Sequence, residues 1–212
     1  MVAGAIIVGR NDLPELGLAM PRLLEGILSL DRKLYKDDDA GTLEQWAPIF
    51  NAHPDTWRAL VDDRRVLGYW QVAALKPDKF EAMIAGVAQA SDLSSHDYQD
   101  LRMPGRYPLY FVSVCLEETA RSPAHQFALV SSFLKVNSAL AARGIVFDRV
   151  AAHAYSPDGR RLCEVLGLKP ADGPQQSRPL FVGALDRAIG SFRGQLAATR
   201  FVPPVESSAL AA

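Results

Sequence analysis

Leu109-Tyr110-Phe111-Val112-Ser113-Val114-Cys115-Leu116 is a near-continuous apolar run, rich in β-branched and aromatic residues, that stops at the polar stretch Glu117-Glu118-Thr119-Ala120-Arg121-Ser122. Such a run reads as a buried strand that leaves its sheet into a loop. After Pro123, the residues Leu129, Phe133, Val136 and Leu140 recur on one helical face, with Val130 and Leu134 beside them. The spacing predicts a helix over 123–143 that packs on a sheet. Ser122 suits its N-cap, Pro123 its first turn and Gly144 its C-cap. A second apolar strand over 145–154 and a short helix ending at Gly167 complete about one βαβα unit. This order places a helix N-terminus at a strand exit, where free N–H groups and the macrodipole make a seat for a phosphate.

Working outward, Ile6-Ile7-Val8 predicts a first strand, and Leu23, Leu24, Ile27, Leu28, Leu30 and Leu34 predict a helix over 21–35. The acidic run Asp37-Asp38-Asp39 reads as a solvated connection. Thr42 with Gln45 forms a capping-box pattern that opens a short helix through Phe50. A hairpin follows, with strands over 56–61 and 66–75 and the turn at Asp62-Asp63-Arg64-Arg65. Pro77 begins a helical pattern in which Phe80, Ile84 and Val87 share a face. The polar segment 91–106 is long enough for a loop to be functional or mobile. Its residues Asp92, His96, Asp97 and Asp100 match no metal-ligand spacing, so no metal is expected. One more strand is expected over 179–185, a helical turn over 186–192 and a frayed tail over 195–212. There is no internal repeat or domain boundary, so the expectation is a single mixed α/β domain over 1–194.

The chain has 212 residues, 49% of them hydrophobic and 22% charged, with a formal net charge of −1. That balance is ordinary for a globular domain and argues against electrostatic binding to nucleic acid or an anionic membrane. The two cysteines, Cys115 and Cys163, lie in apolar segments, which fits reduced, buried thiols in a cytoplasmic protein rather than a disulfide framework. No apolar run approaches the roughly 18 residues of a membrane span, and 3–8 is too short for a signal-peptide core. Nucleophile-elbow, P-loop, Cys-x-x-Cys and dinucleotide patterns are absent.

The order helix, helix, hairpin, strand, helix, strand, helix, strand resembles the GNAT superfamily of N-acetyltransferases over about residues 23–185. That family closes its fourth strand with V-x-P-x-x-[RQ]-G-x-G-x-[GA]-x-x-L-L, and this chain has L-E-E-T-A-R-S-P-A-H-Q-F-A-L-V over 116–130. Leu116 takes the apolar position, Arg121 the [RQ] position, and Leu129-Val130 the closing pair. Where the family has N-x-x-A-x-x-L-Y-x-x-L-G-F, this chain has S-P-D-G-R-R-L-C-E-V-L-G-L over 156–168. Leu162, Leu166 and Gly167 match outright, while Ser156, Gly159, Cys163 and Leu168 stand for Asn, Ala, Tyr and Phe. Gly68 sits where the family often has V-G-x.

The resemblance implies a single mixed-sheet acyl-CoA N-acyltransferase domain that uses acetyl-CoA as co-substrate and the amine of a small molecule or peptide as acceptor. It leaves room for a homodimer. It places the cofactor against Cys115, Leu116, Arg121, Ser122, Ala124, His125, Gln126, Phe127 and Ser156. Glu117, Glu118 and His125 are the candidate bases, and Cys163 and Tyr155 the candidate acids. Ser122, Ala124 and Gln126 replace the family's three glycine-type positions, and Gln126 sets a long side chain beside the expected diphosphate. Two readings therefore stand: an N-acetyltransferase, or a binding or regulatory module on the same fold that no longer binds acetyl-CoA.

Overall fold

The computed structural model describes residues 4–35, 41–171 and 179–184. The acidic run at 37–39, the helical turn expected over 186–192 and the tail over 195–212 lie outside the described residues. The elements follow the order β1 (Ile6–Val8), α1 (Met20–Leu34), α2 (Leu43–Ala52), β2 (Trp57–Asp62), β3 (Arg65–Ala74), α3 (Pro77–Ile84), β4 (Gly105–Leu116), α4 (Pro123–Ala142), β5 (Ile145–His153), α5 (Pro157–Val165), β6 (Lys169–Pro170) and β7 (Leu180–Gly183). They form one seven-stranded sheet in the order β1-β2-β3-β4-β5-β7-β6. Among the described residues only β4 and β5 pair in parallel, because α4 carries the chain back between them.

Hydrophobic burial divides between the two faces of this sheet. On one, α4 and α5 bury Leu129, Phe133, Leu140, Cys163 and Leu166 against Trp70, Phe111 and Ala152. Trp70 packs edge-on to Phe133 at 5.3 Å and donates its indole N–H to Ser132 Oγ at 2.7 Å. On the other, α1, α2 and α3 bury Leu23, Leu24, Ile27, Ile49, Phe50 and Phe80 against Trp57, Tyr69 and Tyr110. The β2–β3 connection is the tight hairpin expected, with Asp63 and Arg64 both at positive φ. That is the primed turn whose twist suits antiparallel strands. Gly144 and Gly167, at φ +77° and +74°, end α4 and α5 as left-handed caps.

Three local expectations change. Thr42 Oγ1 accepts the Gln45 N–H at 3.2 Å, but the Gln45 side chain does not return the bond. It donates instead to the carbonyls of Ala90, Ser91 and Leu93, which pins the long segment to α2. Val87 does not share the face of Phe80; α3 ends at Ile84, Val87 is 81% exposed, and Met83 takes the buried position. The polar segment 91–106 is anchored rather than loose. Leu93 and Tyr98 are buried, Tyr98 bridges Leu75 and stacks on His53 at 4.6 Å, and β4 begins at Gly105. This packing lies at the start of β4, away from the strand end that carries the loop to α4.

β4 holds the one irregularity that matters for function. Gln71 pairs with Ser113 and Val72 with Phe111, so Val112 has no partner on β3. An extra residue of this kind is a β-bulge, which bends its strand and resets the alternation of side chains. Pairing with β5 stops at Phe111 and Ala152, and beyond that point β5 continues with β7 alone. The two parallel strands therefore part just past the bulge.

Candidate acyl-thioester cleft

The gap between the parted strands is a cleft of about 650 Å³, walled by β4, the first turns of α4 and α5, and the end of α1. Main-chain geometry sets its chemistry. The Glu117 N–H donates to the Leu67 carbonyl across the antiparallel ladder at 2.7 Å. Alternation then turns the Cys115 N–H to β3 and aims the N–H groups of Val114 and Leu116 into the gap. Both residues line the cleft. Gly68 lets β3 close on this stretch: a Cβ there would sit 2.6 Å from the Cys115 carbonyl oxygen.

The rim is less open than its sequence suggests. Of the expected cofactor residues, Cys115, Leu116, Arg121, Gln126 and Ser156 line the cleft. Ser122, Ala124, His125 and Phe127 do not. Phe127 faces a groove on the far side of α4 that also holds Arg58 and Asp12. The Arg121 N–H goes to Glu118 O, Ser122 N–H to Ala120 O, and Gln126 N–H to Ser122 O. The N-cap hydroxyl of Ser122 takes the His125 N–H, and Pro123 has none to give. His125 Nδ1 also lies 2.9 Å from Ala120 O. The Gln126 side chain is exposed at the cleft wall. Arg121 reaches across to Asp158 on α5 at 3.6 Å, and Arg161 adds a second cation to the lining.

The candidate acids and bases separate clearly. Glu117 is tied by its two oxygens to Lys33 and Arg65, joining α1 to the start of β3. Its carboxyl is slightly desolvated, but those two cations hold it below its ordinary value. Glu118 lies exposed in the tight turn at 118–120 and does not line the cleft. Cys163 is 5% exposed on the floor of a small inner cavity, and burial pushes its thiol up to about 11. That makes it a weaker acid than an ordinary phenol at about 10. Tyr155 lines both the cleft and the inner cavity.

Four residues that the sequence reading passed over meet here. Tyr35 leaves α1 in an extended conformation, and its ring packs edge-on to Tyr155 at 5.4 Å. Its hydroxyl lies 3.2 Å from Ser113 Oγ, a contact that the bulge makes by turning Ser113 to the α1 side. Burial raises the Tyr35 phenol well above its usual range. Behind them, Tyr69 Oη donates to Asp31 Oδ1 at 2.6 Å. Burial pushes the Asp31 carboxyl up to about 6 despite that bond. Asp31 falls on the buried face of α1, and a lone acidic residue on an apolar stripe was the signal available in the sequence.

No family model and no curated protein matches the sequence. Solved structures do. The loading GNATL domain of CurA from Lyngbya majuscula superposes with a TM-score of 0.56 at 10% identity, covering 87% of this chain and 99% of that one. Arabidopsis thaliana NAA60 in complex with acetyl-CoA gives 0.54 at 15% identity over 85% and 99%. The chain has the GNAT fold. The GNAT-like decarboxylase GphF in complex with isobutyryl-CoA gives 0.54 at 12% identity over 79% and 97%. That likeness is one of fold and is consistent with the mixed sheet; the residues within the β4–β5 gap are this chain's own.

Among the described residues, no helix is long and apolar enough to cross a membrane, and no group of three or more His, Cys, Asp or Glu is placed to hold a metal.

Proposed function

We propose that this protein binds an acyl-CoA thioester in the β4–β5 cleft and transfers the acyl group to the amine of a small molecule or peptide, with acetyl-CoA the simplest donor. The observation that carries this reading is the pair of β4 amides, Val114 and Leu116, aimed into a cleft that the bulge holds open. A thioester carbonyl set against the Val114 N–H is polarised by a fixed dipole that needs no reorganisation. The amine approaches from the α1 side, past Tyr35 and Ser113. Its nitrogen bonds to the carbonyl carbon, the C–S bond breaks, the amine gives its proton to water, and the CoA thiolate takes one from Tyr155. Arg121 and Arg161 supply positive charge for the diphosphate. The two buried free thiols, Cys115 and Cys163, support a cytoplasmic setting.

A second reading has its own observation. The loop's own hydrogen bonds consume four amides at the rim, and Arg121 pairs with Asp158 across the opening. This is what a non-catalytic binding or regulatory module on the same fold would keep. Titration calorimetry with CoA and acetyl-CoA separates the two. Binding in the micromolar range supports the transferase, whereas no heat at millimolar ligand leaves the module.

A further inference from the structure

At its apex the cleft runs on into a separate inner cavity of about 70 Å³. Val114, Tyr155 and Leu162 border both spaces, so a thioester carbonyl at the Val114 N–H directs its acyl carbons inward. One wall is apolar and belongs to the α4–α5 face, with Phe111 and Ala152 from the sheet and Cys163 and Leu166 below, whereas Tyr35, Ser113 and His153 give the opposite wall polar groups. Two features create the space. The strands part after the Phe111–Ala152 pair, and the residues facing the gap at 152 and 163 are small. A water needs roughly 10–15 Å³ measured in this way, so the cavity has room for several non-hydrogen atoms, more than the one methyl of an acetyl group.

Resting on the acyl-CoA reading above, we propose that this cavity is an acyl-chain pocket and that the donor is a short-chain acyl-CoA of about four carbons rather than acetyl-CoA. An apolar wall with no chain against it forgoes contacts that a longer acyl group makes. Each added methylene that enters should strengthen binding about fourfold, so a four-carbon chain should gain roughly tenfold over acetyl. A chain of eight carbons overruns the floor and loses that gain. Ala152 and Cys163 set the limit because they are the smallest side chains on the apolar wall that the chain packs against.

Calorimetry on the full chain with CoA, acetyl-CoA, butyryl-CoA, isobutyryl-CoA and octanoyl-CoA tests the proposal. The expected result is a four-carbon ester bound roughly tenfold tighter than acetyl-CoA, with octanoyl-CoA no better than acetyl. Cys163→Leu on α5 and Ala152→Val on β5 each shrink the cavity, and each should bring the four-carbon to acetyl ratio to about one. Because they lie on different elements, a folding defect in one leaves the other to report. Equal affinity for acetyl and four-carbon esters overturns the pocket, as does an unchanged ratio in a folded variant. CoA bound with a flat acyl series sinks the pocket alone, whereas CoA and all esters unbound sink the acyl-CoA reading itself.

Discussion

The apex and the rim of the cleft are built from the same strand and its following loop, yet they present their backbones differently. At the apex, Val114 and Leu116 point their amides into open space because ladder alternation commits every second N–H to β3. No side chain is needed for this, only a neighbour on one side and a gap on the other. At the rim, the loop at 117–122 folds on itself and uses its donors internally, with Ser122 capping α4 as any good N-cap does. A strand-made row of free amides survives sequence change. A loop-made one depends on residues that do not satisfy the loop first.

The most damaging test of the apex is the residue proposed to donate a proton beside it. Tyr155→Phe should lower thiol release from acyl-CoA in the presence of an amine acceptor by about a hundredfold, with CoA affinity within twofold. Equal losses in binding and rate would return Tyr155 to the cleft wall. Asp31→Asn probes the support beneath the apex through stability rather than rate. The Asp31 carboxyl titrates near 6 when folded and near 3.8 in the reference state, so the folded state holds the extra proton between those values. Its contribution is intact below about pH 4 and is lost as pH rises through 6, costing about 3 kcal/mol at pH 8. The variant keeps an acceptor for Tyr69 and should be more stable than the parent at pH 8 and equal to it near pH 4, read by thermal melts.

At the rim, effects should be smaller and more ionic. Arg121→Ala should weaken CoA binding about tenfold at low salt and less at high salt, since a partly exposed cation is screened. A salt-independent loss would mean that the main-chain amides, not the guanidinium, hold the diphosphate. Glu117→Gln removes the two surface-type ion pairs to Lys33 and Arg65 and should cost about 1 kcal/mol in thermal melts, with turnover retained. A collapse of turnover would restore Glu117 as the base. Gln126→Gly should change CoA affinity less than about threefold, because its N–H already serves the helix and the glycine costs under about 1 kcal/mol of helix. A large gain would show that its side chain, exposed as it is, obstructs the diphosphate.

Much of the fold was legible from local pattern. The apolar run over 109–116, the stripe Leu129-Phe133-Leu140 and the caps Ser122, Gly144, Ser156 and Gly167 each signal within a few residues, and each forms as its neighbours direct. Failures came from a distant partner in one case and from an overlooked local helix stop in the other. Gln45 looks like half of a capping box but serves carbonyls 45 to 48 residues away. Val87 continues a helical pattern that Gly86, at φ +71°, has already ended.

The sequence by itself determined which segments are strands and helices, where most of them stop, and that a helix begins where β4 leaves the sheet, because periodicity and capping act over one or two turns of chain. Tertiary structure alone decided that Val112 bulges, that β4 and β5 part beyond it, and that Tyr35, Ser113 and Tyr155 meet in the gap. These follow from register between strands and from packing across about 120 residues of sequence, and no local propensity encodes which amide is left without a neighbour.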